Sequence, residues 1–66
     1  MNVKELIEQL QTMPPDTMLV VDGYEDGVNN VKTVNLIKIN LNVNEEWYYG
    51  AHEIDENGDT DAVYIG

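Results

Sequence analysis

The sequence predicts an α+β domain spanning residues 1–66. One N-terminal helix is expected to lie on a three- to four-stranded, mainly antiparallel sheet. Three observations lead there. Val3, Leu6, Ile7, Leu10 and Met13 recur at helical spacing. Ile37, Ile39, Leu41 and Val43 alternate with Lys38, Asn40, Asn42 and Asn44, the period of a half-buried strand. Gly, Asn, Asp and Pro clusters separate the remaining β-prone runs into short pieces.

Asn2 is the expected N-cap of the helix, with Glu5 three residues on completing a capping box. Pro14-Pro15-Asp16 ends the helix, because proline donates no N–H and restricts the residue before it. Thr17–Val21 reads as a short strand buried on both faces. The loop from Asp22 to Gly27 has two glycines available for positive φ. Val34 and Leu36 break the parity of the Ile37–Asn44 alternation, so a bulge or two covered faces is expected there. Asn44-Glu45-Glu46 turns the chain, and Trp47–Glu53 is an aromatic-rich strand candidate. Asp55-Glu56-Asn57-Gly58-Asp59 carries Asn-Gly, a strong turn signal, before a last strand at Ala62–Ile65. No repeat or linker divides the chain.

Sixty-six residues bury about 60% of the surface their unfolded chain exposes, so the core is expected to be thin. Thirteen Asp and Glu face three Lys and no Arg, for a net charge of -10. Residues 1–38 hold six acids and all three lysines (-3), and residues 39–66 hold seven acids and no base (-7). General nucleic-acid binding is excluded, since no basic surface exists to neutralise phosphates, and the same balance argues against docking on anionic membranes. There is no Cys for a disulfide or thiolate, no membrane-length apolar run, and no signal-peptide pattern at Met1–Glu5. A cytoplasmic protein is expected.

The chemistry of the side chains points to binding rather than catalysis. There is no Ser, no Cys and a single His52, and so short a chain leaves little room for a substrate-enclosing cleft. No catalytic residue is expected. Asp55, Asn57, Asp59 and Asp61 have the opening spacing of a calcium loop, but Gly58 falls at loop position 4 and Gly66 occupies position 12, where Gly and Glu would stand at 6 and 12. No metal and no cofactor is expected. Asn40, Asn42 and Asn44 would form a polar strip on one strand face. Trp47, Tyr48 and Tyr49 are consecutive, so on a strand they would alternate between core and solvent. Acids and exposed aromatics together suit a partner rich in Lys and Arg, through ion pairs and cation–π contacts. The expected partner-binding residues are Asp22, Tyr24, Glu25, Asp26, Glu45, Glu46, Tyr48, Glu53, Asp55 and Glu56.

Val3-Lys4-Glu5-Leu6-Ile7-Glu8-Gln9-Leu10, then Pro14-Pro15-Asp16, then Val20-Val21-Asp22-Gly23-Tyr24-Glu25, resembles a pattern found in small proteins of bacteriophages and prophages. The resemblance covers about the first 30 residues. It implies a phage context in a bacterial host cell, where small acidic proteins include anti-defence inhibitors, among them DNA-mimicking anti-CRISPR proteins. The expected function is therefore a non-enzymatic acidic inhibitor that covers the basic nucleic-acid-binding surface of a host defence protein. The alternatives are a dimeric sponge for a nucleotide immune signal, in which Lys4, Lys32, Lys38 and the glycine loop would meet phosphate, and a structural oligomer. A homodimer is compatible with all three.

Overall fold

The computed structural model describes residues 1–66. It holds a helix α1 (Val3–Leu10) and five strands: β1 (Val20–Asp22), β2 (Val28–Asn30), β3 (Val34–Asn40), β4 (Glu53–Ile54) and β5 (Thr60–Ile65). The α+β class and the antiparallel pairing hold. The strands, however, form two sheets, β1-β2 and β4-β3-β5, instead of one. Two compact units follow: Met1–Lys32 with Gly66, and Thr33–Ile65.

In the first unit, α1 starts where its chemistry says it should. The Asn2 side chain accepts from the Glu5 N–H at 2.8 Å, and Glu5 Oε1 accepts from the Asn2 N–H at 3.1 Å. This reciprocal cap satisfies two of the N–H groups a helix start leaves open. Val3, Ile7, Leu10 and Met13 leave much of their surface open to solvent. The strand expected at Thr17–Val21 begins only at Val20, and it is not buried on both faces: Met18, Leu19 and Val20 are exposed and Val21 is half-buried. Its partner is β2, in the register Val20↔Asn30, Val21↔Asn29, Asp22↔Val28.

The loop joining β1 to β2 corrects the expectation about its glycines. Positive φ falls on Glu25 (47°) and Asp26 (63°), and neither Gly23 nor Gly27 has it. The Gly27 N–H donates to the Tyr24 carbonyl at 3.3 Å. Glu25 and Asp26 are therefore the two central residues of a turn with the positive φ pair of type I′, which favours Asn-Gly. The glycines serve close approach instead. A Cβ on Gly23 would stand 3.2 Å from the Gly27 carbonyl oxygen. Replacing Glu25-Asp26 by Asn-Gly should stabilise the protein by about 1 kcal/mol, read from the urea midpoint at unchanged slope.

In the second unit, β3 runs unbroken from Val34 to Asn40 against β5, in the register Val34↔Ile65 through Ile39↔Thr60. There is no bulge at the parity change. Val34, Leu36, Val63 and Ile65 share one face and are exposed, while Ile37, Ile39 and Ala62 share the other and are half-buried. The strand ends at Asn40, so Leu41 and Val43 do not continue the alternation. Asn42 takes a left-handed φ of 53°, a conformation Asn tolerates.

β4 and β5 are both antiparallel to β3 and lie on opposite sides of it, so they run parallel to each other. The five residues Asp55–Asp59 must carry the chain across β3, a span of about 10 Å. Gly58 is where the crossing touches. It is the one buried residue of the chain, and a Cβ there would lie 2.6 Å from the Ile39 carbonyl oxygen and 2.9 Å from that of Asp55. The turn expected at Asn57-Gly58 is present, and it lies within the crossing from β4 to β5. Asp55 and Gly58 close a turn through a 2.8 Å bond from the Gly58 N–H, with the Asp55 carboxylate capping the Asn57 N–H at 2.9 Å. Asp at the first position and Gly at the fourth is the type I pattern. No hydrophobic side chain is fully buried, and the chain exposes 6084 Å², roughly 1.4 times the area of a folded monomer of this mass.

Candidate functional site

Two groups of the expected residues are assembled locally. The first is the β1–β2 loop. Asp22 ends β1, and Tyr24, Glu25 and Asp26 follow within a turn closed by the Gly23 N–H to the Gly27 carbonyl at 2.8 Å. Tyr24 is 88% exposed. A phenol and three carboxylates are held on a hairpin tip, with the central two carboxylates at left-handed positions that side chains other than Gly, Asn and Asp rarely occupy.

The second group lies in Thr33–Ile65, and the sheet register organises it. Four consecutive cross-strand pairs, Val34/Ile65, Asn35/Tyr64, Leu36/Val63 and Ile37/Ala62, carry no charge. All seven acids of this unit lie at or beyond the level of Lys38: Asp61 opposite it, Asp55, Glu56 and Asp59 in the crossing, Glu53 opposite Asn40, and Glu45 and Glu46 in the following loop. Lys38 is the only cation, so the unit carries 1 - 7 = -6. Its Nζ is engaged by Asp61 at 2.9 Å. The sheet is electrically lopsided, neutral at one end and acidic at the other. Leu36, Ile37, Lys38, Ile54, Glu56 and Asp61 line a shallow open groove of about 360 Å³ at the boundary.

The acids are not equivalent. Asp55 is half-buried and committed to the fold, accepting from Asn40 Nδ2 at 3.0 Å as well as from the Asn57 N–H. Its backbone N–H donates to the Lys38 carbonyl at 3.0 Å. Asp59 accepts from the Thr60 hydroxyl at 3.0 Å. Glu45, Glu46, Glu53 and Glu56 are exposed. Asp61, left out of the expected binding set, belongs to the acidic end by its register opposite Lys38. Cross-strand pairing was the missing information. No group of three or more His, Asp or Glu side chains converges as metal ligands would.

The Trp47–Glu53 strand is the largest correction. Only Glu53–Ile54 is extended and paired. Residues 41–52 form a loop pinned from within. The Asn44 N–H donates to the Ala51 carbonyl at 3.2 Å, Asn44 Nδ2 to the Gly50 carbonyl at 2.8 Å, and the Asn42 N–H to His52 Nδ1 at 2.9 Å. These bonds break up the expected strip, since Asn40, Asn42 and Asn44 each serve a different local contact. A 3.1 Å bond from the Tyr49 N–H to the Glu46 carbonyl closes a turn with Trp47 and Tyr48 at its centre. All three aromatic rings therefore point to solvent, and the expected alternation between core and surface does not occur. Trp47 is 91% exposed and meets Tyr48 edge-on, centroids 5.5 Å apart and planes at 88°. Tyr48 and Tyr49 are 5.0 Å apart.

No helix is long and apolar enough to cross a membrane. Compared with protein-family models, with curated proteins and with solved structures, the chain matches none.

Proposed function

We propose that this protein is a non-enzymatic acidic interaction module, an inhibitor that covers the basic, nucleic-acid-binding surface of a partner protein. In the phage setting implied by its N-terminal pattern, the partner is a host defence protein of the anti-CRISPR target type, met in the bacterial cytoplasm. The observation that carries the reading is the lopsided sheet: seven carboxylates gathered at one end, with the single cation beside them already paired. Such a field steers a cationic surface into register and speeds encounter. The hairpin tip supports it independently. Glu25 occupies a left-handed position where Asn or Gly would be less strained, and strain kept at a site is a pointer to use.

The test is competition. The protein, added to a complex of its captured partner with DNA or RNA, is expected to displace the nucleic acid, with an effect that fades as salt rises from about 50 mM to 500 mM. Capture without displacement would reject the inhibitor reading.

The exposed aliphatic face Val34, Leu36, Val63 and Ile65 favours a second reading, a self-associating structural module. Light scattering separates the two: a mass that stays at 7.5 kDa at millimolar concentration removes the second.

A further inference from the structure

We infer that the 41–52 loop is a receptor for a guanidinium group, an arginine side chain of the partner stacked on the open face of Trp47 beside Tyr48, with Glu45 and Glu46 at the rim. The inference rests on the interaction module proposed above and names the chemistry one part of it recognises.

Three observations carry it. Trp47, at 91% exposure, contributes almost nothing to the fold, yet its ring is set perpendicular to Tyr48 at 5.5 Å. In this edge-to-face contact one ring's edge lies against the other's face, and the π faces left open to solvent, Trp47 above all, present the negative surface that attracts a cation. The ring pair is presented on a turn, and the loop around it is tied by four hydrogen bonds of its own, from Asn42, from the backbone and side chain of Asn44, and from Tyr49. The backbone turn that presents the rings is therefore in place before a ligand arrives. Finally, the charge selects the occupant. Glu45 and Glu46 directly precede the rings, and the one cation of the unit, Lys38, is engaged by Asp61. An anionic or purely apolar ligand is disfavoured. Among cations, guanidinium is flat enough to stack on an indole while donating in a fork to a carboxylate, whereas ammonium is a compact, strongly hydrated point charge.

The chain contains a single Trp, so its emission reports this site alone. Hexa-arginine and hexa-lysine, equal in charge, are titrated separately at low salt, with calorimetry for affinity and Trp47 emission for location. Hexa-arginine is expected to bind about tenfold more tightly and to shift or quench the emission. In Trp47→Leu and Tyr48→Leu, whose sheet content far-UV circular dichroism checks, the two peptides should bind with equal, purely charge-driven affinity. Equal affinities in the unaltered protein, or arginine binding that leaves Trp47 emission unchanged, would overturn the inference and leave the acidic module standing. If neither peptide binds at low salt, the module reading falls with it.

Discussion

Gly58→Ala is expected to leave the protein largely unfolded. The added methyl would sit 2.6 Å from the Ile39 carbonyl oxygen, 2.7 Å from its carbon and 2.9 Å from the Asp55 carbonyl oxygen. All three are backbone atoms, two in β3 and one in the crossing, so relief requires moving β3 or opening the crossing. Overpacking of this kind costs about 3 kcal/mol, comparable with the whole stability of a chain with so small a core. Gly50→Ala is the matched control, because nothing lies within 4 Å of its Cβ. It removes the same backbone freedom from the unfolded chain and should change stability by less than about 0.5 kcal/mol. Urea titration followed by far-UV circular dichroism compares the two. Equal midpoints would mean that Asp55–Asp59 does not cross β3 at Ile39.

Neutralising the exposed carboxylates of the acidic end should abolish most partner binding while leaving the fold intact. The informative variant joins Glu45→Gln, Glu46→Gln, Glu53→Gln and Glu56→Gln. It spares Asp55, Asp59 and Asp61, which hold hydrogen bonds or an ion pair within the sheet. The unit's charge falls from -6 to -2 (-6 + 4). Rim charges contribute about 0.5–1 kcal/mol each to association, so affinity for a cationic partner should drop roughly 100-fold at low salt. Near 1 M salt, where screening acts over about 3 Å, the two proteins should bind almost alike. Stability should hold or rise slightly as self-repulsion eases. Affinity by calorimetry at two salt concentrations, with the urea midpoint of each protein, provides the check.

What could be read from the sequence was what is decided locally. The Asn2–Glu5 cap and the Val3–Leu10 stripe involve neighbours within one or two turns, and α1 starts where they place it, although it ends at Leu10, short of Met13 and the Pro14-Pro15 stop. β3 was half legible: the Ile37/Ile39 alternation holds, but its extension to Val43 fails because Asn42 turns left-handed. The aromatic run misled because strand preference in Trp and Tyr reflects a half-buried sheet surface, and Trp47 has no such surface to meet. Asn57-Gly58 was legible as a turn, but not the second task of its glycine. Its glycine is needed for contact with Ile39, a residue far away in sequence, and only the β4-β3-β5 order reveals that. The acids themselves were plain in the sequence. Their gathering at one end followed only from the register that places Asp61 opposite Lys38 and Glu53 opposite Asn40.

The central claim is that this gathered charge is the binding surface. Titrating the 15N-labelled protein with a cationic partner fragment, and following each backbone amide, tests it most directly. The account predicts shifts concentrated at Glu45–Asp61 and around Tyr24–Asp26, with Val34–Ile37 and Ala62–Ile65 unmoved. Shifts centred on Val34, Leu36, Val63 and Ile65, or spread evenly over the chain, would contradict it.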